Sequence, residues 1–387
     1  MYFVCAARKG GEVIVYLSIG RINTHLKNCT SININFVDEI GKYMSKGVLL
    51  VNLGSPDSTD PRDVKKYLGE FLMDERVIDV PLWARNILVK GIILNTRPKK
   101  SAEAYKKIWW EEGSPLIVLS QRLRDKIDTH TSVPIALAMR YGKPNIKSGL
   151  QELKEQGVAE VLIFPLYPQF AMATTETILV LAEELRKEFF PEMTYTSVPA
   201  FYNHPDYIRT LATSISESLK GVDFQHLLFS YHGVPERHIR KSDITKSHCK
   251  IDGSCCQTPS PAHQFCYRHQ CYETTRLVAE YLELKENTYS VSFQSRLGFD
   301  PWLQPYTDRT IERFGKQGMK KLAIVTPAFV SDCLETLEEI AMEGEEIFHE
   351  VGGKEFTVVP CLNDRDDWVK VLSRWVDEWA HSNPVEA

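Results

Sequence analysis

The chain reads Val48-Leu-Leu-Val-Asn-Leu53 where its regular pattern begins, and Gly54-Ser-Pro56 follows at once. A short apolar run bounded by Gly and Pro is typical of a strand that is buried on both faces of a parallel sheet. Residues 1–46 have mixed patterning and lack this periodicity. We therefore expect the folded domain to begin at about Gly47 and residues 1–46 to be an N-terminal extension. Whether the natural start is Met44 is left open.

Seven more short apolar runs follow, separated by longer segments of helical period. Together with the first, they lie near 48–53, 133–139, 160–165, 195–199, 226–231, 288–294, 321–327 and 355–360. Strands that alternate with helices are typical of parallel sheets built from βαβ units. Four runs fall in each half of the chain, so the pattern predicts an α/β protein of two similar doubly wound domains, over residues 47–200 and 201–387.

Length and composition fit this prediction, because 387 residues suffice for two domains with full-sized cores. The net charge of −5 lacks the basic excess that is usual in nucleic-acid-binding proteins. Apolar runs such as Val161–Leu166 are far shorter than the ~20 residues that span a bilayer. Glu12, Asp38 and Glu39 interrupt any secretory or transit pattern at the N-terminus. We expect a cytoplasmic protein with, at most, peripheral membrane contact.

His232 is the first candidate functional residue. It ends an apolar strand and precedes Gly233-Val-Pro235, at the carboxyl edge of the sheet, where ligands of doubly wound folds bind. An imidazole with an ordinary pKa near 6.5 can accept a proton or bind a metal ion at neutral pH. The alternative is a loop histidine that is bonded only to backbone.

An acidic segment follows another strand, and Ser331 or Asp332 can cap the helix that it opens. Four carboxylates recur at helical spacing on this segment: Glu335, Glu339, Glu343 and Glu346. Like charges four residues apart each destabilise a helix by roughly 0.2–0.5 kcal/mol, so a function could require them. The alternative is the solvated face of a surface helix, whose opposite face is formed by Leu334, Leu337, Ala341 and Phe348.

Residues 71–83, which we call the lip, read Phe-Leu-Met-Asp-Glu-Arg-Val-Ile-Asp-Val-Pro-Leu-Trp. Large apolar side chains near the loop after the first strand would suit a flat apolar ligand. They would equally suit the core side of an ordinary helix. Both interpretations are left open at this point.

Five of the nine cysteines crowd into the insertion 248–271. They are Cys249, Cys255, Cys256, Cys266 and Cys271. Gly253, Pro259 and Pro261 predict an irregular loop, and four thiolates suit either a [2Fe–2S] cluster or tetrahedral zinc. Further candidate zinc ligands are His248, His263 and His269. Because the segment contains no C-x₂-C pair, free thiols are a third alternative.

Seven motifs together resemble the signatures of the ferrochelatase family, in the family's order. They are Asn52-Leu-Gly-Ser-Pro56, Ser114-Pro-Leu116, Met139-Arg-Tyr141, Leu166-Tyr-Pro-Gln169, Ser230-Tyr-His-Gly-Val-Pro235, Pro301-Trp-Leu303 and Ser331-Asp-Cys-Leu-Glu-Thr336. The resemblance extends from about Gly47 to the C-terminus. It implies two flavodoxin-like domains with a porphyrin held in the cleft between them. It also implies an enzyme that inserts Fe²⁺, its substrate metal, into protoporphyrin IX with release of two protons, the terminal step of haem biosynthesis.

The resemblance also implies roles for single residues. His232 resembles the family's essential histidine, Glu335 its catalytic acid and Glu339 the next member of an acidic relay. The residues that resemble porphyrin contacts are Arg140, Tyr141, Phe71, Leu72 and Trp302. Cys333 stands where some relatives have a histidine, which leaves metal delivery at that position open. For the five clustered cysteines the resemblance favours a [2Fe–2S] cluster with four ligands drawn from the five.

Several alternatives stay open on the sequence. His232 could act as a base or contact the metal, and Glu335 with Glu339 could guide Fe²⁺ or remove protons. The ring could be coproporphyrin III, although the apolar lip favours protoporphyrin. A chelatase for another metal, or a carrier of tetrapyrrole or metal without catalysis, would use the same cleft. The sequence does not set the oligomeric state.

Overall fold

The computed structural model describes residues 2–9, 12–19, 46–250, 252–298 and 300–382. The chain forms two compact units, residues 1–45 and 46–387. The first contains an antiparallel strand pair, β1 (Tyr2–Lys9) and β2 (Glu12–Ile19). Most of the predicted N-terminal extension lies outside the described residues, and everything that follows concerns the second unit.

The described residues of the second unit form eight strands, four in each half. Those of the first half are β3 (Lys46–Gly54), β4 (Ile135–Tyr141), β5 (Glu160–Pro165) and β6 (Thr194–Ser197). Those of the second half are β7 (His226–His232), β8 (Tyr289–Gln294), β9 (Lys321–Val325) and β10 (Glu355–Val358). Each of the eight predicted runs overlaps one of these strands.

Helices connect the strands throughout. The first half has α1 (Pro61–Leu72), α2 (Leu82–Asn86), α3 (Leu94–Thr96), α4 (Pro98–Ile108), α5 (Pro115–Asp128), α6 (Ile146–Glu155) and α7 (Thr177–Phe189). The second half has α8 (Pro205–Ser218), α9 (Glu236–Ser242), α10 (Tyr267–Tyr281), α11 (Thr307–Lys316), α12 (Glu345–Glu350) and α13 (Asp366–His381). Wider π-helical segments are Ile87–Ile93, Met172–Glu176 and Glu335–Gly344, and 3₁₀ turns are Ser254–Gln257 and Pro261–Phe265.

The two halves repeat one topology. The first sheet has the order β4-β3-β5-β6 and the second has the order β8-β7-β9-β10, and all pairs in both are parallel. In each half the first strand lies between the second and the third, so the chain reverses its direction of winding there. The prediction of two similar four-stranded parallel sheets is confirmed. It also follows that the switch point, where doubly wound folds bind ligands, lies beyond β3 in one half and beyond β7 in the other.

β3 shows why this sequence forms a central strand. Val48 and Leu50 pack into the cluster on one face of the sheet, while Leu49 and Val51 pack into the cluster on the other. A strand buried on both faces needs an unbroken apolar run rather than an alternating one. At its carboxyl end Gly54 has φ +117°, and a Cβ there would lie 1.9 Å from the Tyr141 carbonyl oxygen. Only glycine therefore fits the point where β3 passes β4.

α13 joins the second half to the first. Trp375 stacks on Phe164 of β5 with ring centroids 6.3 Å apart, and Trp368 is fully buried in the same cluster. Complete burial of a side chain such as Phe164 contributes about 2 kcal/mol. At the end of α13 the Lys46 ammonium donates to the carbonyl oxygens of Trp379, Ala380 and Ser382. The two halves are thus held together by a shared core.

Candidate active site

His232 is the last residue of β7 and pairs with Gln294 of β8. Its Nδ1 lies 2.6 Å from the Gly233 carbonyl oxygen, which can only accept a hydrogen bond. Nδ1 therefore carries the ring proton, and the lone pair is left on Nε2. A Cβ on Gly233 would lie 2.8 Å from the Ser295 carbonyl oxygen, so the chain turns tightly after the histidine. The half-buried ring is consequently fixed at the switch point with its basic nitrogen defined.

Glu339 is the carboxylate with the most distinctive environment. The Ser295 N–H donates to one of its oxygens at 2.9 Å, and the Ser295 hydroxyl donates to the other. Burial raises the pKa of Glu339; Ser295 and the nearby His232 lower it in part, and Glu335 raises it further. The net direction is upward. The charges of His232 and Glu335 both act on Glu339, so the structure brings these three predicted residues into one electrostatic cluster.

The segment Glu335–Gly344 is π-helical, which differs from the α-helix expected from its spacing. Such i→i+5 turns are rare and frequently occur at functional sites. Of the predicted acidic stripe, Glu335 and Glu339 are half-buried, whereas Glu343 and Glu346 are exposed. The stripe is therefore divided between the site and solvent.

The opposite face of this segment packs on residues of the first half as well as on the core of the second half. Leu334 and Leu337 contact the cluster of Val64, Ala102, Tyr105 and Ile108. Glu338, which is buried, binds the Lys107 ammonium at 2.7 Å. A plain surface helix would lack these contacts. They set the acidic segment against the first half.

Asp74, within the lip, organises the first-half side of the site, and sequence reasoning gave it no role. Its carboxylate accepts from the Arg140 guanidinium, from Thr177 Oγ1 and, at 2.9 Å, from the Tyr141 hydroxyl. Burial raises the pKa of Asp74, but the Thr177 bond, the Arg76 N–H and the Arg140 charge outweigh burial and lower it. In the sequence Asp74 is only one of several charged residues within the lip, and nothing distinguishes it from the others.

The predicted porphyrin contacts differ in accessibility. Tyr141 is 2% exposed and Leu72 is 7% exposed, whereas Phe71 and Trp302 are half-buried. Phe71 packs edge-on against Tyr141 at 5.2 Å, and the guanidinium of Arg140 lies 4.4 Å from the Tyr141 ring centroid. Arg140 packs on Tyr141, and Leu72 is buried next to Phe71 in the sequence; we call these three residues, Arg140, Tyr141 and Leu72, the floor. Phe71 and Trp302 present more of their surface.

The lip has both a buried and an exposed side. Leu72 and Ile78 pack with Val89 and Ile93, and Leu297 of the second half joins this cluster. Four large apolar side chains at the end of the lip and just after it are more than half exposed: Leu82, Trp83, Ile87 and Ile92. The two interpretations of the lip, as a core element and as an exposed apolar edge, therefore both describe part of it.

The cysteine insertion places its thiols next to one another. Burial and the neighbouring Cys255 raise the pKa of the Cys249 thiol, and Cys266 is the neighbour that most affects the Cys256 thiol. The Cys266 bond, together with the Arg268 charge, lowers the pKa of Cys256. Cys271 is fully buried. In the described part of the chain no three His, Cys, Asp or Glu side chains are arranged as ligands of one metal ion.

The histidines of the insertion form a separate group. The rings of His263 and His269 stack at 3.5 Å, and His248 Nε2 lies 3.3 Å from His263 Nε2. All three rings bond to the backbone carbonyls of Cys255 or Cys256. In this arrangement the histidines brace the turn that carries those two cysteines.

Comparisons with known proteins give a consistent result. A family model described as ferrochelatase matches residues 45–380. The ferrochelatase of Ectopseudomonas mendocina is 49% identical over 327 residues, which are 84% of this chain and 95% of that protein. The ferrochelatase of Opitutus terrae is 46% identical over 342 residues, 88% of this chain and 99% of that protein. Among solved structures, the sirohydrochlorin chelatase SirB of Bacillus subtilis subspecies spizizenii in complex with cobalt covers 88% of this chain and 97% of its own, at 10% identity and a TM-score of 0.49.

The Asp74 network predicts a pH-dependent loss of stability. Because folding lowers the pKa of Asp74, its stabilisation is complete above the unfolded value near 3.9 and is lost as pH falls through the folded value. We expect Asp74→Ala, which leaves the Arg140 guanidinium without its carboxylate, to lower the free energy of unfolding by about 3 kcal/mol at pH 7. Urea unfolding at pH 7 and below pH 4 measures this, with the exposed neighbour in Glu75→Ala as control. A deficit that does not shrink in acid would contradict the assignment.

Proposed function

Since the chain belongs to the ferrochelatase family, it is an enzyme that inserts ferrous iron into a porphyrin, and we propose that His232, Glu335 and Glu339 carry out the reaction. The observation that supports these roles best is the Nδ1 bond of His232 to Gly233, which defines Nε2 as a base at the switch point. Iron insertion must remove two pyrrole protons and offer the ring nitrogens to the metal.

His232 is assigned to proton abstraction. A neutral imidazole whose free nitrogen is oriented by a bond at the other nitrogen is the usual form of a general base. The same lone pair can also bind Fe²⁺, and this metal contact is the second candidate role. In either role the proton or the metal ion binds at Nε2, because Nδ1 is hydrogen-bonded to the Gly233 carbonyl oxygen.

The two carboxylates are assigned to the paths of iron and protons. Glu339 has a raised pKa and can take up a proton near the operating pH more readily than an ordinary carboxyl. Glu335 precedes Glu339 by four residues in the same π-helical segment and is therefore nearer to β9. It supplies an oxygen ligand that suits entering Fe²⁺. The Gln294 side chain holds the Glu335 carbonyl oxygen at 2.9 Å, which fixes the start of this segment.

Phe71 and Trp302 are the proposed contacts of the ring, on the floor formed by Leu72, Arg140 and Tyr141. Apolar contact across the macrocycle provides binding energy remote from the nitrogens, which can support a bent ring. The apolar character of the lip favours protoporphyrin IX over coproporphyrin III, because the latter has two more carboxylates in place of vinyl groups.

We expect His232→Ala and Glu335→Ala each to lower kcat for iron insertion by at least a factor of about 10² while the fold stays intact. Glu339→Gln should lose less, because a neighbouring carboxylate remains. Anaerobic assays with Fe²⁺ and each of the two porphyrins measure these losses and test the preferred ring. The exposed acid of the same segment, in Glu343→Gln, is the matched control. Wild-type turnover of either alanine variant, or a larger loss in Glu339→Gln, would contradict the assigned roles.

For the insertion we propose a [2Fe–2S] cluster with four ligands drawn from the five cysteines. The donors fit in kind, since the hydrogen bond from Cys266 and the charge of Arg268 both favour a thiolate at Cys256. When bound, the cluster would supply structural or redox-sensing chemistry, because iron insertion itself transfers no electrons. The histidine bonds to the Cys255 and Cys256 carbonyls would hold the turn between ligands.

Anaerobically purified protein should therefore be reddish-brown and contain acid-labile sulfide. Colour and sulfide should be lost in the double variant Cys256→Ser, Cys266→Ser and kept in Cys361→Ser, which changes a buried cysteine outside the insertion. A colourless preparation with about one zinc per chain would support tetrahedral zinc instead. Protein without bound metal would show that the thiols are free.

For location we propose the cytoplasm, with peripheral membrane contact through the exposed side chains Leu82, Trp83, Ile87 and Ile92. Among the described residues, no helix has both the length and the apolar composition needed to cross a bilayer. Clustered exposed apolar groups commonly mark an interaction surface.

We expect a minor fraction of the protein to sediment with lipid vesicles, because the exposed side chains offer only a small apolar area. Trp83→Ser combined with Ile87→Ser should reduce that fraction, whereas Ile244→Ser, at an exposed position elsewhere, should not. Complete retention on membranes after a salt wash would contradict peripheral contact.

A further inference from the structure

We propose that Asp79 is the centre of an ionic latch, formed with Arg237 and Lys241 of α9, that holds the lip against the second half. The proposal rests on the proposed function in one respect, namely that the lip lies over the bound ring. Asp79 would then be a positioning residue, which acts on porphyrin without contacting the reacting atoms.

The contacts of Asp79 are unusually concentrated. Its side chain is 4% exposed, yet both carboxylate oxygens bind cationic groups. The Arg237 guanidinium donates to one oxygen and the Lys241 ammonium donates to the other at 2.5 Å. His238 Nε2 lies 3.2 Å from the first oxygen. Although burial raises the pKa of Asp79, the bonds from Lys241 and Arg237 lower it to about 2, so the carboxylate stays charged at any working pH.

α9 carries the cations of the latch and lies only a few residues after His232 in the sequence. The helix begins at Glu236, four residues after His232, and the Glu236 N–H donates to the Pro301 carbonyl oxygen at 2.9 Å. The next residue, Trp302, is one of the proposed ring contacts. The apolar side of the lip reaches the same region, where Leu297 packs on Leu72 and Ile78. The lip thus has a polar contact with α9, which follows His232, and an apolar contact with the loop that follows β8.

A flat ring has to enter the cleft and haem has to leave it, so this contact has to open in each turnover. When the contact opens, neither Arg237 nor Lys241 is left as a buried cation without a partner. Arg237 also binds Asp300, and the Lys241 side chain is 51% exposed. Burial lowers the pKa of His238, which favours the neutral ring. For the same reasons, Asp79→Asn should fold, since no unpaired buried charge remains.

The test is the rate at which protoporphyrin leaves the full-length protein, followed by porphyrin fluorescence after mixing with an excess of a porphyrin-binding scavenger. We expect Asp79→Asn and Lys241→Met each to accelerate dissociation by about tenfold, as for loss of a charge-assisted hydrogen bond. The double variant should be no faster than the faster single variant, because both changes break one interaction. Asp79→Glu should restore most of the wild-type rate. Asp223→Asn, which removes an exposed partner of Lys321, is the control.

In the steady state, Asp79→Asn should raise KM for porphyrin more than it lowers kcat, which a general loss of folding would not do. Unchanged dissociation in Asp79→Asn, or additive effects in the double variant, would overturn the latch. If the wild type binds porphyrin but inserts no iron, the proposed function is contradicted. The porphyrin dissociation rates of the variants still test the latch in that case. A wild type that binds no porphyrin would overturn the latch and the role of the lip together.

Discussion

Parallel pairing of β7 with β8 on one side and β9 on the other is the constraint on which the site depends. Because the three strands run in one direction, the segments that follow them emerge at one edge of the sheet. His232 ends β7, Ser295 follows β8, and the segment with Glu335 and Glu339 follows β9. Residues about 40 to 100 positions apart in sequence are brought together by this geometry alone. No long-range side-chain contact is needed to explain their proximity.

The charged groups around the cleft fall into two classes according to their partners. Asp74 and Asp79 are bound by arginine or lysine, and the pKa of each is lowered in spite of burial. Glu339 is bound by the hydroxyl and N–H of Ser295, which are neutral, so burial dominates and its pKa is raised. Thr177 and the Arg76 N–H also lower the pKa of Asp74, but Asp74 and Asp79 each bind a cation in addition, whereas the donors from Ser295 to Glu339 are both neutral. The direction of each pKa shift therefore follows from the charge of the groups that bind the carboxylate.

The two halves share one strand order, but they are elaborated differently at the same connection. The crossover from the first to the second strand of the first half contains the lip. The equivalent crossover of the second half contains α9 and the cysteine insertion. The two crossovers meet where Asp79 binds α9. A repeated fold therefore becomes asymmetric through additions at equivalent positions, with His232 in one half and the exposed apolar side chains that end and follow the lip in the other.

The sequence by itself determined the two parallel sheets, because strands buried on both faces need continuous apolar runs such as Val48–Leu53, and these are visible without a structure. It also placed His232 at the end of a strand and Glu335 on a helical segment that follows a strand, since position after a strand is a local property. Only the tertiary structure decided what surrounds them. The π-helical form of Glu335–Gly344, the serine that holds Glu339 and the pairing of Asp79 with α9 depend on contacts between distant segments. Such contacts leave no periodic trace along the chain, because each partner is an isolated residue whose role arises only when the sheets bring it beside the other.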